Sequence, residues 1–282
     1  MTKHVPVLLD AVMDALGDIR GLRILDATFG AGGYTRAFLN AGASVVAFDR
    51  DPNVLVDAEK IQKEYPNSFK FVPQPFSTMA ELNETFDAIV FDLGISSMQI
   101  DNPERGFSFR ADAPLDMRMS SDGPTVVDMF AKWTASDITK ILRDYGDVKP
   151  AGAIANAIKQ KMPKTTFELK SLIHNPKDVA PVFQALRIAL NDEFGEITRA
   201  LAAVPNMLNS GGKCICVTFH SLEDRLVKNT FRDWCAVAGD PRMPMVTKPE
   251  FELLRPKTPS EAELEHNPRS RSAHMRGVKK SC

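Results

Sequence analysis

The sequence predicts an α/β protein of the Rossmann-like class, with a doubly wound parallel sheet and an inserted all-helical domain. Three observations support this prediction. Short apolar runs alternate with helical periodicity through residues 1–94, residues 125–208 show helical periodicity only, and an apolar run typical of a strand returns at 213–219. Strands that alternate with helices form a parallel sheet with helices packed on both of its faces.

The first part of the chain contains four strand patterns and two crossover helices. Each strand pattern is a short apolar run, as expected for parallel strands that are buried on both faces. The helical patterns stop near Gly42 and Pro66, residues that commonly end helices. The predicted strands are 22–29, 43–49, 69–72 and 86–94, and the predicted helices are 34–42 and 53–65.

The middle of the chain predicts the insertion. Residues 101–123 are rich in charge, Gly and Pro, and the helical segments that follow include one with Thr134 or Ser136 as its N-cap. The chain therefore divides into a first sheet part at 1–103, a helical insertion at 104–205 and a second sheet part at 206–282. The predicted helices are 135–145, 151–161, 165–173, a long one at 181–208, and 222–235; a last strand or hairpin is expected at 243–254.

The formal net charge of −1 hides a division of charge along the chain. Residues 1–150 hold 15 basic and 22 acidic side chains, whereas residues 151–282 hold 20 basic and 14 acidic ones. Residues 266–282 contain five Lys or Arg and no acid, and a solvated basic tail of this kind often contacts phosphate. A tail that only improves solubility is an equal alternative.

The cysteines and the hydropathy pattern point to a reducing compartment. The four cysteines form no CxxC pair, so neither a zinc site nor a redox motif is predicted, and no other metal site is expected. Cys214 and Cys216 alternate with apolar residues and are expected to be buried on one face of a strand. Since no stretch approaches the ~18 apolar residues of a membrane span, we expect a cytoplasmic protein without a membrane partner.

A glycine-rich turn after the first strand predicts a cofactor site. Gly30, Gly32 and Gly33 follow Asp26 at the carboxyl end of that strand, where open α/β sheets bind ligands. A dinucleotide fingerprint requires a third glycine where Thr35 stands, and Asp26 would repel a pyrophosphate. A carboxylate there suits S-adenosylmethionine, which carries an ammonium and a sulfonium group.

Three further side chains end the next strands. Asp49 is placed to accept hydrogen bonds from both ribose hydroxyls of an adenosine, while the alternative, that it caps the following helix, is better met by Asp51. Phe76 could stack on the adenine ring or belong to the core. Asp92 ends the fourth strand beside a turn glycine, next to the expected position of the transferred group.

Eight sequence blocks resemble the RsmH (MraW) family of bacterial methyltransferases, and the resemblance covers nearly the whole chain. The family modifies the N4 amine of a decoding-centre cytidine in 16S rRNA. The blocks stand in the family's order: HVPVLLDAV at 4–12, DATFGAGGYT at 26–35, DRDP at 49–52, FDAIVFDLGISSMQID at 86–101, ERGFSFRADAPLDMRM at 104–119, FQALRIALNDE at 183–193, VTFHSLEDRLVK at 217–228 and TPSEAELEHNPRSRSA at 258–273.

The resemblance implies a class I S-adenosylmethionine-dependent methyltransferase whose insertion recognises the substrate. It implies that the small ribosomal subunit or its late precursor is the partner; DNA is not expected as a partner, and the oligomeric state is left open. Two runs of the insertion, 146–158 and 175–184, lack basic residues that the family usually has there. The residues implied to contact the cofactor are Gly32, Gly33, Tyr34, Asp49, Phe76, Asp92 and Gln99.

Transfer to an exocyclic amine requires proton acceptors at the site, because the amine must lose a proton. Methylation at cytosine C5 would instead require a nucleophilic cysteine, and no Pro-Cys motif occurs. We rank Asp92 first as the acceptor, and the second-rank candidates are Ser96, Ser97, His220 and Ser221. A structural role for His220 is equally compatible with the sequence.

The predicted RNA contacts lie mainly in the positive half of the chain. Asp116 and Arg118 could orient the base or a phosphate, or could form a salt bridge within their own loop. The remaining predicted contacts are Ser221, Arg225, Lys228, Arg269 and Arg271.

Two other functions are compatible with parts of the pattern. A nicotinamide dehydrogenase shares the sheet and the acid after the second strand, although the glycine spacing and Asp26 disfavour it. A non-catalytic RNA-binding relative would account for the altered insertion, although the retained acids Asp26, Asp49 and Asp92 disfavour that loss of activity.

Overall fold

A computed structural model describes residues 6–236 and 248–282, and the described residues contain a seven-stranded sheet. The strand order is β3-β2-β1-β4-β5-β7-β6, in which β1 to β5 are parallel and β7 pairs antiparallel with both β5 and β6. The predicted Rossmann-like α/β class is therefore confirmed. The strands are β1 Arg23–Asp26, β2 Ser44–Phe48, β3 Phe69–Val72, β4 Phe86–Asp92, β5 Leu208–Thr218, β6 Phe251–Leu253 and β7 His274–Lys280.

Two compact units make up the chain. The first comprises Met1–Gly94 together with Gly195–Cys282 and contains the sheet, and the second is the helical segment Ile95–Phe194. Both limits of the helical unit come earlier in the chain than the sequence-based limits of 104 and 205. The helices are α1 Leu9–Leu16, α2 Gly33–Asn40, α3 Leu55–Glu64, α4 Ser97–Asp101, α5 Val126–Lys132, α6 Ala135–Gly146, α7 Ala151–Lys161, α8 Thr166–Ser171, α9 Pro176–Asn191, α10 Glu193–Met207, α11 Ser221–Trp234 and α12 Glu261–His266.

Each unit has its own apolar core. In the first unit, the central strands β1 and β4 are buried on both faces, which explains their continuous apolar runs. In the second unit, α5, α6 and α8 each begin at a threonine N-cap with a complete capping box. Thr134 is the cap of α6, so the first of the two predicted cap positions is used. Within the described residues, no helix has both the length and the apolar character needed to span a membrane.

The predicted single helix at 181–208 is wrong, because the chain forms two helices there. Asp192 adopts a left-handed conformation (φ +48°) and ends α9. The preceding side chain holds this break: Asn191 accepts a hydrogen bond from the Met119 amide at 2.8 Å and donates one to the Met117 carbonyl at 2.8 Å. The apolar periodicity continues on both sides of the break, so periodicity alone did not reveal it.

The predicted solvated basic tail is also wrong for residues 274–280, which form β7 inside the sheet. Met275 and Val278 are buried, and β7 pairs along the whole of the predicted strand 213–219 except its last residue. Arg276 donates to both carboxylate oxygens of Asp224, at 2.6 and 2.7 Å. The predicted hairpin at 243–254 is represented by β6, and its residues 243–247 lie outside the described part of the chain.

Removal of residues 274–282 should therefore abolish cooperative folding. The truncation leaves one side of β5 without its hydrogen-bonding partner, exposes the core beneath Met275 and Val278, and leaves Asp224 without Arg276. Thermal unfolding followed by circular dichroism measures the effect. Removal of the exposed Cys282 alone is the control and should leave the midpoint unchanged. An unchanged midpoint in the long truncation would contradict the assignment of β7 to the sheet.

Candidate functional site

Three acidic side chains meet at one edge of the sheet in the first unit. Asp26 is the last residue of β1, Asp92 is the last residue of β4, and Asp49 directly follows β2. These three strands are neighbours and run in parallel, so their carboxyl ends lie together. The structure thus brings the predicted cofactor acids to the carboxyl edge of the sheet.

The glycine turn lies between β1 and α2 and has two left-handed glycines. Gly30 has φ +53° and Gly32 has φ +74°, values that favour glycine. A side chain at Gly32 would also lie only 2.7 Å from Ile61, and one at Gly33 would collide with Pro6. Glycine is therefore favoured by the backbone conformation at Gly30 and Gly32 and by close packing at Gly32 and Gly33.

Asp49 holds the glycine turn through backbone amides. Its Oδ2 accepts from the Gly30 amide at 2.8 Å, and its Oδ1 accepts from the Asp51 amide at 2.8 Å. Burial raises the pKa of Asp49, which these two amide hydrogen bonds partly oppose. Each carboxylate oxygen keeps a second lone pair, so the group retains acceptor capacity for ribose hydroxyls. Asp51 caps the following 3₁₀ turn, as the sequence indicated.

Asp26 lies beneath this turn and is fully buried. The Thr35 hydroxyl donates to its Oδ2 at 2.6 Å, and the Thr28 amide donates to its Oδ1 at 3.2 Å. Burial is the main cause that raises the pKa of Asp26 to about 6, and the nearby charge of Asp49 adds to the shift. In this arrangement neither carboxylate oxygen of Asp26 is exposed to solvent.

Asp92 differs from Asp26 because one of its carboxylate oxygens accepts no hydrogen bond among the described residues. Its backbone amide donates to the Thr28 hydroxyl at 2.6 Å, whereas its buried Oδ1 has no hydrogen-bond partner among the described residues. Burial, which is the largest cause, and the charges of Asp26 and Glu223 together raise the pKa of Asp92 to about 8. A buried carboxyl group with an unsatisfied oxygen at the ligand-binding edge of a sheet is a strong candidate functional group.

A fourth acid, Glu223, is fully buried beside this edge and was not among the residues predicted from the sequence. It is the third residue of α11, and its Oε2 accepts from the Phe219 amide at 3.0 Å. Its Oε1 lies close to Gly94, since a side-chain carbon added there would be 3.6 Å away. The sequence does contain a pattern that could have indicated Glu223, since His220 and Glu223 have the spacing of a capping box. The pattern is weak because histidine is not one of the preferred N-cap residues.

His220 forms that N-cap, and Glu223 faces both of its ring nitrogens. Nδ1 accepts from the Glu223 amide at 3.4 Å, and Nε2 lies 2.9 Å from Glu223 Oε1. With Nδ1 acting as an acceptor, the proton of the neutral ring is on Nε2. In this arrangement the ring is engaged by α11, which agrees with the structural alternative considered for His220.

Two predicted aromatic contacts differ in accessibility. Phe76 is half-buried at the start of a 3₁₀ turn, with its ring centroid 5.7 Å from that of Phe91 in an edge-to-face arrangement. Tyr34 is buried, and its hydroxyl donates to the Val7 carbonyl. Phe76 therefore keeps an accessible side for stacking, whereas the Tyr34 ring is occupied by protein contacts.

Four predicted residues belong to the second unit, and their contacts there are local. Ser96 and Gln99 form the capping box of α4, in which Ser96 Oγ accepts from the Gln99 amide at 3.2 Å. Arg118 donates to both oxygens of Asp116, at 2.9 and 2.7 Å, and also to two carbonyls of the same loop. The loop salt bridge considered from the sequence is thus present, and a role of the pair in RNA binding stays a prediction.

The remaining predicted residues are exposed in the first unit. Ser221, Arg225 and Lys228 lie four and three residues apart, which places them on one exposed face of α11. Arg269 and Arg271 are exposed in the 3₁₀ turn Pro268–Ser272.

Comparison with known proteins assigns a family. The model of the MraW methylase family matches residues 1–281. A ribosomal RNA small subunit methyltransferase H from Chelativorans sp. (strain BNC1) is 44% identical, covering 99% of this chain and 88% of that protein. The protein of the same name from Brucella suis (strain ATCC 23445) is 42% identical, covering 97% and 86%. A putative methyltransferase from Streptococcus mutans, solved with SAH, has 13% identity and a TM-score of 0.48 over 98% of this chain and 99% of that one.

The buried carboxyl of Asp92 should make stability depend on pH. The pKa of Asp92 in the folded protein, about 8, lies above its ordinary value, so folding favours the protonated carboxyl group. The destabilisation of the folded state by Asp92 is therefore absent below about pH 4 and grows as the pH rises to about 8. Asp92→Asn should therefore raise the free energy of unfolding more at pH 8 than at pH 4.5, with a difference of at least about 1 kcal/mol between the two pH values. Urea unfolding at the two pH values measures this difference. Asp14→Asn, at an exposed position of α1, is the matched control, and a pH-independent effect at Asp92 would contradict the interpretation.

Proposed function

This chain belongs to the MraW methylase family, whose members are S-adenosylmethionine-dependent methyltransferases, and we propose that it methylates 16S rRNA of the small ribosomal subunit. The proposed acceptor is the exocyclic N4 amine of a decoding-centre cytidine, in the assembled subunit or its late precursor. The names of the relatives at 42–44% identity support the rRNA substrate. A substrate of this kind would place the protein in the cytoplasm. Because the chain belongs to a methylase family, the nicotinamide dehydrogenase considered from the sequence is excluded.

The main support for the proposed cofactor site is the group of acidic side chains at the carboxyl edge of β1, β2 and β4. Asp26 is fully buried there, and Asp49 and Asp92 are half-buried. Burial raises the pKa of all three groups, and the charge of Arg50 opposes this shift only at Asp49. Buried carboxylates are costly unless a cation compensates them. S-adenosylmethionine fits this edge because its ammonium and sulfonium supply positive charge.

Each part of the edge has a distinct proposed task. Asp49 would hold the ribose hydroxyls while it keeps Gly30 in place, and Phe76 would cover the adenine with its accessible side. Gly30 leaves open space for a ligand, since a side-chain carbon there would meet only the Thr28 carbonyl at 4.0 Å, and the amino end of α2 presents backbone amides. Gly30, Gly32, Gly33 and the backbone of Tyr34 would form that cradle.

Asp92 is the proposed proton acceptor. When bound, S-adenosylmethionine supplies a methyl group activated by the positive sulfonium. Its charge would favour ionisation of Asp92, whose free oxygen could then accept a proton from the amine as the nitrogen attacks. His220 and Ser96 rank lower because His220 Nδ1 and Ser96 Oγ already accept helix amides.

The exposed basic face of α11 is the proposed contact with the RNA backbone. Arg225 and Lys228 project from the helix whose first turn carries Glu223, and exposed Arg and Lys side chains are suited to phosphate. Arg269 and Arg271 are proposed to extend this contact. The target base would leave its stack to reach the methyl group, as base-modifying enzymes require.

Methyl transfer from labelled S-adenosylmethionine tests the proposed function. We expect incorporation into small ribosomal subunits that lack the modification, and nuclease mapping of the product should locate the label at N4 of a cytidine. Deproteinised 16S rRNA in parallel distinguishes an assembled substrate from free RNA. Asp92→Asn should reduce the rate at least ~100-fold, the usual size of a general-base contribution. A wild-type protein that binds RNA but transfers no label would instead support the non-catalytic alternative.

The salt dependence of RNA binding tests the basic face of α11. Replacing Arg225 and Lys228 by Ala should weaken binding and lower the slope of log K against log salt by about 1.5, since each phosphate contact contributes roughly 0.7–0.9. Lys60→Ala with Lys63→Ala removes the same charge from the exposed surface of α3 and should leave the slope unchanged. Fluorescence anisotropy over a series of salt concentrations measures both. Equal slopes in all three proteins would remove α11 from the RNA contact.

A further inference from the structure

The glycine turn is supported from outside by a short segment at the start of the described chain. Residues 6–8, here called the N-terminal strap, lie against the beginning of α2. Pro6 packs on Gly33 so closely that a side chain at Gly33 would collide with it, and the Val7 carbonyl accepts the Tyr34 hydroxyl. The strap therefore contacts two adjacent residues of the proposed cofactor cradle.

The strap is held in an unfavourable backbone conformation. Leu8 adopts left-handed dihedral angles (φ +55°) although it is a branched, buried residue. It is the N-cap position of α1 and supplies no side-chain cap. A conformation of this kind persists only where surrounding contacts impose it.

A contact that holds the strap comes from the other end of the sequence. Glu263, in α12, accepts the Leu8 amide with its Oε1 at 2.7 Å. Its charge is close enough to contribute to the raised pKa of Tyr34, for which burial is the largest cause. A residue near the carboxyl terminus thus completes the hydrogen bonding of the strap.

The capping pattern of α12 shows that Glu263 is used in an unusual way. Ser260 and Glu263 have the capping-box spacing, and Ser260 Oγ accepts the Glu263 amide at 3.2 Å. In α5, α6 and α8 the acid at the same position returns the bond to the backbone of its own N-cap. In α12 no returning bond is present among the described contacts, and the carboxylate bonds to Leu8 instead.

We propose that Glu263 is a positioning residue for S-adenosylmethionine, acting through the N-terminal strap on the glycine turn. Each step of the path is a direct contact: Glu263 holds Leu8, the strap holds Gly33 and Tyr34, and these two residues begin the helix that follows the turn. Glu263 itself does not touch the cofactor. This inference rests on the proposed function, because it assumes that the glycine turn binds that cofactor.

Calorimetric titration with S-adenosylmethionine tests the inference, because it separates affinity from the fraction of competent protein. Glu263→Ala should raise Kd about tenfold with a stoichiometry that stays near that of the wild type, since it removes a charged acceptor from a buried amide. Glu263→Gln keeps an acceptor oxygen and should restore most of the affinity. Glu265→Ala changes an exposed acid of the same helix and is the matched control.

Hydrogen exchange provides the local readout. In cofactor-free Glu263→Ala, exchange should accelerate in residues 6–12 and 30–36, while the amides of β4 and β5 keep their protection. Tyr34→Phe removes the hydroxyl contact with Val7, and the double variant should lose less affinity than the two single losses combined, because both act through one strap. If Glu263→Ala folds poorly, Tyr34→Phe still tests whether the contact between the strap and α2 affects affinity for the cofactor.

The outcomes separate the two hypotheses. If the wild-type protein does not bind S-adenosylmethionine, the proposed function fails. If the wild type binds it and Glu263→Ala binds with the same Kd, or with the same Kd and a reduced stoichiometry, Glu263 has only a structural role and the inference is overturned. Fully additive losses in the double variant would also contradict a shared path through the strap.

Discussion

The burial of several carboxylates at one sheet edge is the constraint on which the rest of the site depends. Parallel pairing brings the carboxyl ends of β1, β2 and β4 together, and each of these ends carries an aspartate. Asp49 is stabilised by two backbone amides and Asp26 by a hydroxyl and an amide, whereas Asp92 keeps an unsatisfied oxygen. The protein thus retains an electrostatic cost that a cationic ligand would offset, as is common where stability is exchanged for function.

The elements around this edge are arranged to hold it. The amide contacts of Asp49 join the glycine turn to the end of β2, and Glu223 joins the start of α11 to the end of β5. The strap and β7 come from opposite ends of the described chain and complete the same unit. Such long-range contacts make the geometry of the site depend on residues far from it in sequence.

Local patterns predicted most of the elements. The predicted helices 135–145 and 151–161 agree with α6 and α7 to within one residue, because amphipathic periodicity and caps act over a few residues. The choice of Asp51 over Asp49 as a cap was confirmed for the same reason. Asp92 was singled out from its place at a strand end, but its unsatisfied oxygen depends on the packing of other elements around it.

Other features could not be derived from local patterns. The sequence by itself determined the parallel α/β order, the acids at the strand ends and the glycine turn, because strand periodicity and turn chemistry are local properties. Only the tertiary structure decided that Arg276 lies in a strand paired with β5, that Asp192 interrupts a continuous helical pattern, and that Glu223 is buried beside Asp92. The physical reason is that β pairing, side-chain burial and charge proximity are set by residues distant in sequence, whose partners no local pattern specifies.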